Sequence, residues 1–158
     1  MSLIDLFRPD WKSSNLAVRK KSLLQQNDVT IVSEALNSEE DQDIINAVID
    51  NHSTIESLEL LHAQVKDSLK SLISPKLHKL YLDSALKADS AENITFTRFN
   101  SKQLSKLARE AKSQSVQLSA VDSIDSNENE SLSSVIHNSE KKVAQQALQK
   151  LNDRETLK

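Results

Sequence analysis

Apolar residues along this chain recur at three- and four-residue steps, in blocks of about three turns separated by Asn, Ser or Asp. Leu3 to Phe7 predicts a short opening turn, followed by Pro9 and Trp11. Residues 15–26 form the first full block, with Leu16, Val18, Leu23 and Leu24. Asn27 and Asp28 restart the pattern for Val29, Ile31, Val32, Ala35 and Leu36, and a polar break from Asn37 to Asp41 precedes Ile44, Ile45, Val48 and Ile49. Such spacing puts one oily stripe on each helix and leaves the other faces to water.

Ser53-Thr54-Ile55-Glu56 reads as a capping box, with serine and glutamate satisfying orphan N–H groups reciprocally. The helix it opens carries one long stripe of Ile55, Leu58, Leu61, Val65, Leu69 and Leu72. Ser74-Pro75 predicts a stop and a new start, because proline suits a first helical turn where its missing N–H costs nothing. Leu77, Leu80, Tyr81, Ala85 and Leu86 follow. From Asn93 to Phe99 apolar and polar residues alternate; a strand there has no partner, so an extended connector is predicted. Phe99 before Asn100, with Gln103 and Leu104 after it, predicts a hydrophobic staple and a capping box. Leu104, Leu107, Ala108 and Ala111 then share one helical face, and helices at about 114–125, 128–138 and 139–151 complete the pattern. Asp122 to Ser134 has the composition of a disordered segment, but Leu132, Val135 and Ile136 favour a solvated turn into a helix.

Two of these blocks say the same thing. Val116, Ala120, Val121 and Ile124 are echoed 27 residues on by Val143, Ala147, Leu148 and Leu151. A period of this length marks a helical repeat, in which each two-helix unit buries its apolar face against the next. Alanine at 120 and 147 lets neighbouring helices approach, and Ser22 and Ala47 take the equivalent place in two looser matches. The expected fold is all-α, an α-solenoid of antiparallel helix pairs forming a single domain over 1–158, with a looser middle at 55–100.

Leu6-Phe7-Arg8-Pro9-Asp10-Trp11-Lys12, followed by Asn15-Leu16-Ala17-Val18-Arg19, resembles the opening of bacterial HEAT-like repeat proteins that carry domains of unknown function. Lys102 to Lys112, running into Ser115 to Val121, is similar to one repeat's second helix entering the next repeat. Leu16, where such repeats often have proline, and the connector at 93–99 depart from the pattern. The resemblance implies a right-handed superhelix with a surface for macromolecules, and it carries no catalytic residues over. Asn152-Asp153 reads as the turn into a further helix, so the chain is expected either to be an N-terminal piece of a longer protein or to self-associate through its uncapped last repeat.

Composition narrows the chemistry. Glycine and cysteine are both absent, which removes phosphate-cradling loops, nucleophile elbows, disulfides and Cys-based zinc sites. The net charge of −3 offers no global attraction for nucleic acid. The opening residues are too short and too acidic for a secretory signal and no apolar run spans a membrane, so a cytoplasmic protein with no membrane partner is expected. His52, His62, His78 and His137 lack the i, i+3 or i, i+4 spacing of a helical metal site, and His62 beside Leu58, Leu61 and Val65 reads as interfacial with a wet tip. Glu39, Glu40, Asp41 and Asp43 read as complements to a helix dipole rather than a cation site. No metal, cofactor or catalytic residue is expected, and no enzymatic activity.

Two features point to binding instead. Lys102, Lys106, Arg109 and Lys112 form a basic ridge opposite Leu104, Leu107 and Ala111, which either is a solvated face or meets phosphates. Lys66, Lys70, Lys141 and Lys142 are the cations on other helices that would have to continue it. Trp11 is either an interface anchor or an apolar cap with Phe7. The leading expectation is a scaffold for a protein partner or for another part of its own chain; the alternative is a nucleic-acid-binding solenoid using the ridge.

Overall fold

Four helix starts in the first half of the chain carry a side-chain cap at a spacing of thirteen residues: Asn15, Asp28, Asp41 and Thr54. The structure, a computed structural model, describes residues 9–155, and side chains as far as Asp153. The expected opening turn at Leu3 to Phe7, and the Leu6-Phe7-Arg8 part of the family resemblance, lie outside the described residues.

Each cap opens a ten-residue helix: α1 Leu16–Gln25, α2 Val29–Ser38, α3 Gln42–Asn51 and α4 Ile55–Gln64. Asn15 Oδ1 accepts from the N–H groups of Ala17 and Val18 at 3.0 and 3.3 Å, and Asp28 Oδ1 from Thr30 at 2.9 Å. Asp41 Oδ1 accepts from Asp43 and Ile44, both at 3.0 Å. Each such cap contributes about 1 kcal/mol. The fourth differs from the expected box: Thr54, not Ser53, is the cap, and its Oγ1 accepts from Ser57 at 3.2 Å. Glu56 then sits one residue short of the third helical position, the place from which a carboxylate reaches back.

The long stripe through residue 72 also divides. Helix α4 ends at Gln64, Val65 is extended, and α5 runs Asp67–Lys87 as one helix. Leu61, Val65 and Leu69 keep helical spacing across the break and are all buried, so periodicity could not reveal it. Its cause is Asn37, whose Nδ2 donates to Gln64 O at 3.1 Å and whose Oδ1 accepts from Lys66 N at 2.7 Å. Those amide bonds take over two backbone groups that a continuing helix would have paired. Conversely, Pro75 lies inside α5 rather than ending a helix. Its missing N–H leaves Ser71 O without the usual donor. Nearby, Ser74 Oγ donates to Lys70 O at 2.7 Å, and burial of Ile73 helps hold the helix through the gap.

The chain forms two compact units, Met1–Leu77 and His78–Lys158. In the first, α1 packs on α3 and α2 on α4, helices meeting their next-but-one neighbours. Buried aliphatics include Leu23, Val32, Leu36, Ile44, Val48, Leu58 and Leu61. Leu16 and Val18, assigned to the first stripe, stand exposed, and so does Leu72. Ala47 and Ser22 are only half-buried; Val48, four residues after Ile44, takes the closed position instead.

The second unit holds the end of α5, a 3-10 turn at Phe96–Arg98, α6 Ser101–Glu110, α7 Gln114–Ser123, α8 Asn129–Asn138 and α9 Lys141–Glu155. The 93–99 segment is thus a connector ending in a helical turn, and no strand occurs among the described residues. Asn100 and Gln103 form the expected capping box, with bonds of 3.0 Å in both directions. Helix α6 packs on α7 and α8, and α9 on α7 and α8. One cluster joins Leu104, Leu107, Ala108, Val116, Ala120, Val121, Val143 and Ala147. The repeated pair is equivalent in burial at 116/143 and 120/147 but not at 121/148: Val121 is fully buried and Leu148 is 45% exposed. Helix α9 also runs through Asn152 and Asp153 to Glu155, where a turn had been expected. Solvated Asn and Asp cost a helix only a few tenths of a kcal/mol.

No described residue takes a positive φ. The C-caps Gln26, Glu39, His52, Val65 and Ala111 all leave their helices in extended conformation. A chain without glycine has to turn this way, since the left-handed exit strains any residue with a Cβ.

Candidate functional site

The 3-10 turn Asp10–Lys12 places Trp11 at the edge of the first unit, against α1. Its indole is half-buried. Lys12 Nζ lies 4.3 Å from the ring centroid and 3.0 Å from Glu34 Oε1 on α2. Together with Ser13, Arg19, Ser38 and Glu40 these residues line a solvent-open groove of about 610 Å³. Phe7, the expected apolar neighbour of Trp11, lies outside the described residues.

The floor of the groove is an ion pair that the sequence reading missed. Arg19 Nε and Nη2 donate to Glu39 at 2.7 and 3.2 Å, and Nη1 donates to Ser13 O at 2.7 Å. Glu39 Oε1 also accepts from the N–H groups of Glu40 and Asp41 at 3.1 and 3.0 Å. Burial pushes the Glu39 carboxyl up, but the Arg19 fork and these N–H groups outweigh it and hold it below its ordinary value. Arg19 is held above its own ordinary value, chiefly by the hydrogen bond to Glu39. Of the acidic run read as a dipole complement, only Asp43 occupies a first helical turn; Asp41 is the cap of α3 and Glu39 serves Arg19.

In the second unit, α6 carries Lys102, Lys106 and Arg109 opposite its buried Leu104, Leu107 and Ala108. Lys112 falls beyond the helix end, its N–H donating to Leu86 O at 2.8 Å. Three of the four cations have carboxylates beside them. Lys106 Nζ lies 3.9 Å and Arg109 Nη2 3.7 Å from Glu110, and Lys112 Nζ lies 2.7 Å from Asp89. The bond to Asp89 raises the Lys112 pKa. Lys102 stands exposed. Phosphates arriving at this face would have to displace Glu110 and Asp89 from their cations. In the first unit, Lys66 Nζ is bound to Asn37 O and Lys70 Nζ to Asp67.

The histidines do not converge. His62 is half-buried with Nε2 3.1 Å from Ser74 Oγ, and His137 Nδ1 lies 2.7 Å from Ser133 O. His52 is buried with Nε2 unpartnered. Among the described residues no group of three His, Asp or Glu side chains is placed to hold a metal ion. No described helix is long and apolar enough to cross a membrane.

A different set of polar side chains is organised by the repeat itself. Asn51 Nδ2 donates to Leu24 O, Asn37 Nδ2 to Gln64 O and Lys76 Nζ to Ile49 O, each across 27 residues. In the second unit Gln146 Nε2 reaches Leu118 O across 28 residues and Ser105 Oγ reaches Ser131 O across 26. Leu24, Ile49 and Gln64 lie in the last turns of their helices, where carbonyls lack an intrahelical donor. Leu118 and Ser131 lie within α7 and α8, and their carbonyls take a side-chain donor from one repeat away. No family model, curated protein or solved structure matches the sequence.

Proposed function

We propose that this chain is a non-enzymatic helical-repeat scaffold, a HEAT-like α-solenoid with a right-handed superhelix, whose surface docks another protein. The observation that carries the reading is the recurrence of side-chain-to-carbonyl bonds across 26–28 residues in each unit. They match the 27-residue echo of Val116 in Val143 and the packing of helices on next-but-one neighbours. In such an architecture polar side chains of one repeat bond the backbone of its neighbour, and the outward faces are left for partners. Leu60 and Leu72, on α4 and α5, are large aliphatics on such outward faces.

The competing use of the surface is nucleic acid, and salt separates the two. Titration of labelled duplex DNA and RNA by fluorescence polarisation, at low and physiological salt, is expected to show no saturable binding. A complex whose affinity falls steeply with salt would overturn the scaffold reading in favour of the basic face of α6, since neutralising phosphates releases counterions. A protein recovered with the chain, and cross-linked to repeat helices at both salt concentrations, is the positive result expected.

A further inference from the structure

We propose that the Trp11 groove is a receptor for an arginine side chain on a basic segment of a protein partner, with Lys12 as the resident cation that the arginine displaces. This rests on the protein-docking reading above and names the partner's chemistry.

An aromatic face and a carboxylate converge on one cation here: the Lys12 ammonium lies 4.3 Å from the Trp11 centroid and 3.0 Å from Glu34. That is the chemistry that recognises ammonium and guanidinium groups. The occupant is only loosely held, because the Lys12 and Glu34 side chains are 45% and 62% exposed. The other cation of the groove cannot serve as occupant, since Arg19 is locked to Glu39 and Ser13. Glu40, exposed on the same wall, has no cation bound to it among the described residues. Two exposed carboxylates therefore face one exchangeable charge, and the groove is complementary to a further cation.

Arginine suits the site better than lysine. A planar guanidinium stacks on the indole while its N–H fork reaches a carboxylate, whereas an ammonium is a single point of charge. A phosphate-bearing ligand, in contrast, would meet Glu34 and Glu40.

Trp11 is the only tryptophan of the chain, so its emission reports on this groove alone. The probes are hexa-arginine, hexa-lysine and hexa-glutamate peptides titrated into the full-length protein. Hexa-arginine is expected to change the emission saturably, hexa-lysine more weakly and hexa-glutamate not at all. Glu34→Gln should weaken hexa-arginine binding about fivefold, while Glu110→Gln, a control in the other unit, leaves it unchanged. Lys12→Met, which removes the resident cation, should tighten it severalfold. All three substitutions fall on solvent-facing side chains, and circular dichroism checks that each variant is folded. An unsaturable response, equal loss in Glu34→Gln and Glu110→Gln, or weaker binding by Lys12→Met would overturn the assignment. A partner protein retained equally by wild type and Glu34→Gln would overturn it too, while leaving the scaffold reading in place.

Discussion

The guanidinium of Arg19 grips the carboxylate of Glu39 through two hydrogen bonds, Nε to Oε2 at 2.7 Å and Nη2 to Oε1 at 3.2 Å. The pair joins α1 to the residue that ends α2, and the Glu39 side chain is only 5% exposed. Removing one member strands the other. Arg19→Met and Glu39→Gln are each expected to lower unfolding free energy by about 2 kcal/mol in urea titrations. Because the folded-state pKa of Glu39 lies below its ordinary value of 4.5, its contribution is fully present above that value and is lost as pH falls through the folded pKa. The gap between wild type and Glu39→Gln should therefore be widest near neutrality and close in acid. A gap that stays constant from pH 7 to pH 3 would show that the ion pair is not its source.

His52 gives a pH response over a different range. It is buried at the end of α3 with Nε2 unpartnered, and burial, then the charge of Lys76, lowers its pKa from 6.5. Lys76 is fixed there by bonds to Ile49 O at 2.8 Å and Asp50 Oδ1 at 3.3 Å. Above 6.5 the imidazole is neutral in both folded and unfolded chains, and its protonation contributes no pH dependence. Below 6.5 the unfolded chain takes up a proton that the folded chain resists, so stability declines as pH falls toward the folded pKa. His52→Leu lacks this slope. Between pH 7 and 5, wild type should lose stability relative to His52→Leu, with His62, His78 and His137 common to both proteins. Parallel stability curves for the two would contradict the buried neutral histidine.

How much of this could be read in the sequence follows from the range of each interaction. Helices α1 to α3 and α6 to α9 were legible because their stripes and breaks are local, as Asn100 with Gln103 shows. The thirteen-residue recurrence of Asn15, Asp28, Asp41 and Thr54 was also present in the sequence, and it would have placed the α4 cap at 54 rather than 53. The break at Val65 was not legible, because Asn37 imposes it from 27 residues away while the apolar spacing runs on. Arg19 with Glu39 was hidden for the same reason: a twenty-residue separation joins two residues that look like ordinary surface charges. At Trp11 the aromatic could be singled out, but its neighbours Lys12 and Glu34 could be brought together only by the packing of the first unit.

Asn37 is exposed, yet its side chain acts as a clamp. Its amide bonds both Gln64 O and Lys66 N, and its own carbonyl accepts from Lys66 Nζ at 3.1 Å. Asn37→Ala loses both side-chain bonds and is expected to cost about 1–2 kcal/mol. Asn37→Asp keeps the acceptor for Lys66 N but lacks the donor for Gln64 O, so it should fall between the two. Amide hydrogen exchange locates the effect: Lys66 N–H should lose protection in Asn37→Ala and retain much of it in Asn37→Asp. Equal protection in wild type and Asn37→Ala would mean that the turn between α4 and α5 holds without the clamp.

Pro75 predicts a gain. It is exposed, nine residues into α5, where it removes the N–H that would have bonded Ser71 O. An interior proline costs a helix about 3 kcal/mol relative to alanine, and partial relaxation around the gap reduces what can be recovered. Pro75→Ala restores the donor with no new bulk, so urea denaturation should show stabilisation of about 1–3 kcal/mol. The helix already passes through this position, and the substitution therefore alters its stability rather than its path. Ser74 supplies the control. Its Oγ donates to Lys70 O and lies 3.1 Å from His62 Nε2, so Ser74→Ala should destabilise the wild type. If Pro75→Ala destabilised instead, the proline would have to be ending a helix after all, and α5 would be two helices in solution.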